Sequence, residues 1–441
     1  MRVLIGTSPL AGHINPLTSL ARALLAAGHE VLWYTGYSFE AKISALGATF
    51  LPYQQAVEVD MEDIEARFPE RAQYKGLKLL SFDLRITFLG NLEGQAADLL
   101  AIYHTHRPDV FLCDFGFMGA VAAKYWLQLP VVTCNISALA LSSPNTAPFG
   151  FGLPPSNSFV GQLRNRFLYW LFQTVVMADL QREFNARLIA MGLPALDCFF
   201  FDAAVHIPDL VLQLTTPLFE YPRPNLPDTL HFIGPILPVF PLSYDEPDWW
   251  PDLETERPVV LVTQGTLATD PQQLILPAIR ALANQDMLVV VTTANRPLSE
   301  LGQLPANVRA ESFIPYDRLL PHVNLLITNG GYGTVQMALA HGVPIVAAGK
   351  TEEKVEICTR IAWAGVGIGL KTNSPRAEQI QRAVLQIRDT PTYRQNAQRL
   401  GNDFARYDAP QRAVALIEQL IADRQVSDAR DMQTEYSPIF K

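Results

Sequence analysis

Short, wholly apolar runs recur along this chain, each followed by a stretch with helical spacing, and this alternation restricts the fold more than any other feature. In the first half, Val3-Leu-Ile5, Val31-Leu-Trp-Tyr34, Asp109-Val-Phe-Leu-Cys-Asp114 and Pro130-Val-Val-Thr133 read as strands. Helices are expected from about Pro16 to Ala27, closed by Gly28, and near 39–46 and 118–127. Strands without a polar face must be covered on both sides, so the pattern indicates a parallel sheet between layers of helices. The alternation restarts with Val259-Val-Leu-Val262, a helix near 271–283, Met287-Leu-Val-Val-Val291, Val308-Arg-Ala-Glu311, Leu325-Leu-Ile327, Ile345-Val346 and Val366-Gly-Ile368. Between the halves, Pro235, Pro238, Pro241, Pro247, Pro251 and Pro258 lie among acidic residues and Trp249-Trp250, a linker composition.

The expected organisation is α/β, with two doubly wound Rossmann-like domains facing each other. The first covers 1–235, the linker 236–258 and the second 259–424, its last helix packing back on the first domain. Residues 425–441 are expected to form a surface or disordered tail. A ligand belongs at the carboxyl ends of the strands, in the crevice.

Hydrophobic residues make up 49% and charged residues 17%, enough apolar material for two cores. A net charge of −9 argues against nucleic acid, whose phosphates require a basic face. Cys113, Cys134, Cys198 and Cys358 lie far apart, without the spacing of a zinc site, which fits buried thiols in a reducing cytoplasm. Met1-Arg-Val-Leu-Ile-Gly6 starts as a strand with no charged-then-apolar leader. No apolar run reaches the roughly 18–20 residues of a transmembrane segment. The longest candidate, 167–178, is interrupted by Gln173 and reads as a pocket or core helix, with membrane-surface contact as the lesser alternative.

Between Ser137 and Pro222 the alternation breaks. A Ser/Pro/Gly-rich loop (142–158), an aromatic helix around 167–188 and Phe199-Phe-Phe201 form an insertion suited either to lining a site for an apolar molecule or to a local core.

Candidate chemistry lies where strands meet helices. In Gly6-Thr-Ser-Pro-Leu-Ala-Gly-His-Ile-Asn-Pro16 the dinucleotide fingerprint GxGxxG is absent, but His13 falls at the first strand–helix turn. A base working near neutral pH is best an imidazole, steadied by a carboxylate, and Asp114 closes a strand of the same sheet. In the second domain, Thr328-Asn-Gly-Gly-Tyr-Gly-Thr334 joins a buried strand to a helix expected over 332–341, which Gly342 and Pro344 stop. Asn329 opens that turn. Gly330, Gly331 and Gly333 permit close backbone approach, Thr334 adds a hydroxyl, and the helix N-terminus suits a phosphate. Thr263-Gln-Gly265-Thr266 offers a second such turn. Phe313-Ile314-Pro-Tyr-Asp follows a strand and offers aromatic faces for a base, core packing being the equal alternative for Phe313. Glu353 and Lys354, in Gly349-Lys-Thr-Glu-Glu-Lys354, could recognise hydroxyls or form a solvated loop.

Together these segments resemble the UDP-glycosyltransferase family with the GT-B fold, close to bacterial macrolide and antibiotic glycosyltransferases. Gly12-His13-Ile-Asn-Pro16 matches its amino-terminal Gly-His-x-x-Pro, and residues 329–344 match its donor signature running to Gly-Val-Pro. The resemblance implies a metal-independent, inverting glycosyltransferase of the hexosyltransferase type, active in natural-product glycosylation. It would use a UDP- or dTDP-sugar as co-substrate, with no cofactor, and act on a hydroxyl of a small lipophilic acceptor. His13 would be the general base and Asp114 its orienting partner. Helix amides and Thr334 would receive the departing diphosphate, and no Asp-x-Asp pair is present to hold a metal.

The departures are informative. The family's signature His is Asn329, its ribose-binding Glu falls at Met337, its base-stacking Trp is Phe313, a nearby Gln is Tyr316, and its sugar-reading Asp-Gln pair is Glu353-Lys354. Gln336 sits one residue from Met337, about 100° around the helix, and is a poor substitute for the Glu. Related antibiotic glycosyltransferases that use dTDP-deoxysugars likewise lack that Glu, so dTDP-sugars are expected to serve at least as well as UDP-sugars. The alternatives are a nucleotide-sugar epimerase or hydrolase, and a non-catalytic GT-B partner protein.

Overall fold

Wholly apolar strands are stable only between two layers, and the chain builds two such sandwiches. A computed structural model describes residues 1–59, 64–238, 244–254, 256–265, 270–351 and 353–435. The first sheet contains β1 (Arg2–Gly6), β2 (Glu30–Thr35), β3 (Thr49–Pro52), β4 (Val110–Asp114), β5 (Val131–Asn135), β6 (Leu210–Gln213) and β7 (Leu230–Phe232). The second contains β8 (Val259–Thr263), β9 (Leu288–Thr292), β10 (Val308–Glu311), β11 (Leu325–Thr328), β12 (Ile345–Ala347) and β13 (Gly367–Gly369). Every strand pairing among the described residues is parallel, as the two-sided burial of the strands requires.

The strand orders are β3-β2-β1-β4-β5-β6-β7 and β10-β9-β8-β11-β12-β13. Each reverses direction once, between β1 and β4 in the first sheet and between β8 and β11 in the second. In an open parallel sheet the connections on either side of such a reversal leave over opposite faces, opening a crevice at the carboxyl ends. In register, Gly6 lies beside Cys113 and Thr328 beside Thr263. The segments that follow those strands therefore flank the two crevices. The carboxyl edges of the sheets meet: Gln336 in the helix Tyr332–Ala340 donates to the carbonyl of Leu214, just past β6.

Several elements depart from the sequence-based expectation. The first helix runs Ala11–Ala26, starting five residues before Pro16, with His13 and Ile14 N–H groups both reaching the Leu10 carbonyl at 2.9 and 3.0 Å. The aromatic helix begins earlier as well, at Phe159, and a wide turn at Phe172–Val176 divides it from Ala178–Ala190. The 236–258 segment is not a free linker in its described part: Trp249 and Trp250 pack on the second core, and Trp249 Nε1 donates to Glu311 at 2.8 Å. Pro241 lies outside the described residues. The last helix spans Ala409–Glu435, so the stretch expected as a surface or disordered tail is helical as far as Glu435. Residues 436–441 lie outside the described residues. Ala409, Ala413, Val414 and Ile417 complete the core beneath β1, β2 and the first helix.

Candidate active site

His13 lies in the first turn of the helix that leaves β1, and Asp114 is the last residue of β4 across the first reversal point. The two meet, with His13 Nδ1 2.8 Å from Asp114 Oδ1. The carboxylate is buried and also accepts from the Ser8 N–H at 2.7 Å and the Gly116 N–H at 2.8 Å. Three donors compensate for that burial and fix the carboxylate. With Nδ1 donating to the carboxylate, the imidazole lone pair is on Nε2, the tautomer a base requires. Phe88 and Phe115 flank the ring, with centroids at 5.8 and 5.7 Å, and leave the His13 side chain 12% exposed. Sequence reasoning missed both aromatics; Phe115 follows Asp114 directly, the one signal available for it.

At the second reversal point, β11 runs into Asn329-Gly330-Gly331 and the helix Tyr332–Ala340. Gly330 has φ +91°, and a Cβ there would stand 3.1 Å from Cys358 Sγ. Gly265, past β8 with φ +78°, would place a Cβ 3.3 Å from the Asn329 amide. These two glycines are demanded by backbone shape. A Cβ on Gly333 would meet nothing within 4 Å and one on Gly331 only Asn329 Oδ1 at 3.8 Å, so protein packing does not explain their smallness. Asn329 Oδ1 accepts from the Gly331 N–H at 3.3 Å, and no side chain caps the helix. The first N–H groups of a helix have no partner within it, so those at the start of Tyr332–Ala340, up to Thr334, are left for an acceptor from outside the helix. Thr266 lies outside the described residues.

The remaining candidates lie along the same edge. Phe313, past β10, is 43% exposed, while Ile314 is buried in the second core, leaving its main chain to meet any ligand. Strand spacing puts the end of β10 roughly 10 Å from that of β8, about the reach from a diphosphate to its base. Tyr316 is partly buried against the second core, and its hydroxyl pairs with Thr292 Oγ1 at 2.9 Å. Glu353 and Lys354 open the helix Lys354–Trp363 beside the Gly330 turn, with Lys354 buried rather than on a solvated loop. Met337 packs against the second core, and the Gln336 amide is committed to Leu214, so neither supplies a carboxylate for a ribose.

A buried charge network between the sheets had no signal in the sequence. Glu220 accepts from Arg360 Nη2 at 2.6 Å, Arg223 Nη1 at 3.1 Å, and the Leu139 and Tyr221 N–H groups at 3.0 and 2.8 Å. Glu356 bonds Arg360 at 3.3 Å and receives the N–H groups of Gly150 and Gly152 at 2.9 and 2.8 Å. Burial pushes the Glu220 carboxyl up, but Arg360 and Arg223 outweigh it and hold it down at about 2. The 142–158 loop is thereby fastened to the helix that begins at Lys354.

Comparison with known proteins bears directly on this pair of crevices. Residues 277–420 match the family described as erythromycin biosynthesis protein CIII-like, C-terminal domain. The chain is 43% identical to 4'-demethylrebeccamycin synthase of Lentzea aerocolonigenes over 420 residues, 95% of this chain and 99% of that one. It is 32% identical to UDP-glycosyltransferase 2 of Phaeomoniella chlamydospora over 438 residues, 95% of this chain and 96% of that one. The chain belongs to the UDP-glycosyltransferase family. Its GT-B fold is that of CalG4, the calicheamicin glycosyltransferase, with a TM-score of 0.74 over 96% of this chain and 98% of the other at 21% identity. As a glycosyltransferase of the natural-product type, it places a His–Asp pair at one crevice and an uncapped helix start at the other.

Proposed function

We propose that this glycosyltransferase moves a sugar, with inversion, from a nucleoside-diphosphate sugar to a hydroxyl of a small lipophilic acceptor, without a metal. The His13–Asp114 pair at a topological switch point carries the proposal, opposite a helix start at the equivalent point of the second sheet. His13 Nε2 takes the hydroxyl proton as the acceptor oxygen bonds to the anomeric carbon. The bond from that carbon to the diphosphate breaks, and its electron pair leaves on the phosphate oxygen. Asp114 steadies the imidazolium, and the helix N–H groups with Thr334 receive the negative charge. The apolar acceptor is supported by partly buried Leu80, Leu84, Met118 and Phe151, which pack around the cluster containing Phe172. Because neither Gln336 nor Met337 offers a carboxylate to the ribose, dTDP-sugars serve at least as well as UDP-sugars. His13→Ala tests the assignment: with mass-spectrometric detection over a donor and acceptor panel, turnover falls roughly 10²–10⁴-fold while calorimetric nucleotide affinity holds. Undiminished transfer would refute it, and donor loss without acceptor would instead mark a hydrolase or epimerase.

A further inference from the structure

The run 167–178 was expected to be a pocket or core helix, with membrane-surface contact the lesser alternative, and one face of the helix Phe159–Leu171 meets solvent. Phe159 is 81% and Trp170 56% exposed, and Val160, Leu163 and Phe167 are exposed with them; Val175 continues the face into the following turn. At 100° per residue, residues 159, 160, 163, 167 and 170 fall within an arc of about 100°, with exposed Arg166 on one flank and, on the other, half-buried Arg164, whose guanidinium also bonds Asn165 Oδ1 at 2.8 Å. The opposite face is fully engaged. Asn165 donates to the Pro144 carbonyl at 2.9 Å, Gln162 to Asn145 Oδ1 at 2.9 Å and the Tyr169 hydroxyl to the Ala147 carbonyl at 3.3 Å. The outward residues therefore contribute nothing to holding the 142–158 loop, and packing within the chain does not account for them.

Charge identifies what covers the stripe. The chain carries −9 overall, yet between Lys124 and Asp179 its only charged side chains are Arg164 and Arg166. A two-fold related copy seated on the stripe would bring four guanidinium groups together with no acid in this segment to offset them. An anionic bilayer meets both requirements at once, taking aromatic and aliphatic side chains at the headgroup boundary and the two cations at the phosphates. No helix among the described residues is long and apolar enough to cross a membrane, so the contact is interfacial. We propose that the exposed face of Phe159–Leu171 is a docking surface for an anionic lipid bilayer, laid directly over the acceptor-side loop.

Flotation of the full chain with vesicles tests this, using phosphatidylcholine alone and with about one-third phosphatidylglycerol. The chain should float with the anionic vesicles, and binding should fall several-fold between about 0.05 and about 0.5 M salt. The double substitution Phe167→Ser with Trp170→Ser should lower partitioning about tenfold or more at an unchanged melting temperature, and Arg164→Gln with Arg166→Gln should remove the preference for phosphatidylglycerol. The proposal is overturned by absence of binding, by binding indifferent to phosphatidylglycerol, or by binding that survives Phe167→Ser with Trp170→Ser. A lipid-free dimer abolished by that same pair would assign the face to a second copy and overturn it equally.

Discussion

Replacing Arg360 with Met removes one of two positive charges from a cluster of four whose side chains are only 1–6% exposed. Glu220 then keeps Arg223 while Glu356 loses its ion-pair partner, and the cluster changes from neutral to a net charge of −1. Breaking a buried ion pair by deleting one partner costs about 3–5 kcal/mol. The lower end applies here, because Glu220 keeps Arg223 and two main-chain donors, and Glu356 keeps the N–H groups of Gly150 and Gly152. The loss should depend on pH with a definite sign. Glu220 sits at about 2 in the folded protein against an ordinary value of 4.5, so its contribution is full above pH 4.5 and fades as pH falls toward 2. At about 1.4 kcal/mol per unit this contribution is roughly 3 kcal/mol. Arg360 is the larger of the two charges holding Glu220 down, so Arg360→Met should lower stability most near pH 7, with the deficit shrinking between pH 4.5 and 3. Urea unfolding across that range is the assay. Adding Glu220→Leu restores neutrality and should recover part of the loss. A deficit under about 1 kcal/mol at pH 7, or one that does not change with pH, would refute the assignment of this cluster as a fastening between the sheets.

Gly330→Ala forces an alanine to φ +91° against Cys358, a strain of about 1–3 kcal/mol, and should weaken nucleotide diphosphate binding about tenfold while leaving the His13 side intact. Calorimetry reads this directly, and unchanged affinity would remove the turn from the donor site. Titration of UDP and dTDP should show dTDP bound at least as tightly; clearly tighter UDP binding would show that the absent ribose carboxylate has been replaced elsewhere. Loss of turnover in His13→Ala and lipid-dependent flotation are the two further outcomes expected above.

The central strands were legible because burial on both faces writes them as unbroken apolar runs, as in Val259–Thr263 and Leu288–Thr292. Edge strands such as Thr49–Pro52 and Leu230–Phe232 lack such a run and went unread. The start of the first helix was displaced because Pro16 resembles a first-turn residue, while Leu10 at the true start provides no side-chain cap. Trp249 and Trp250 read as linker because prolines surround them, although their rings belong to the second core. His13, Asp114 and Asn329 could be singled out because each lies at the carboxyl end of a strand or in the segment that follows it, where a doubly wound sheet opens its crevice. Glu220 and Arg360 could not: they are 140 residues apart, and nothing local marks either one.

The closing helix also dictates how the chain must fold. Ala409, Ala413, Val414 and Ile417 fill a groove in the first sheet's core, so that core stays open while the roughly 170 residues between Ile236 and Ala409 are synthesised. A ribosome therefore releases a second sandwich that can close before the first one has been sealed. Severing the chain between the sheets would leave the first half without the 409–421 segment and the second without Ala138 and Phe219, which belong to its core. The two halves are consequently a single unit of inheritance: an exchange of donor-side sequence between relatives must keep the last helix matched to the first sheet.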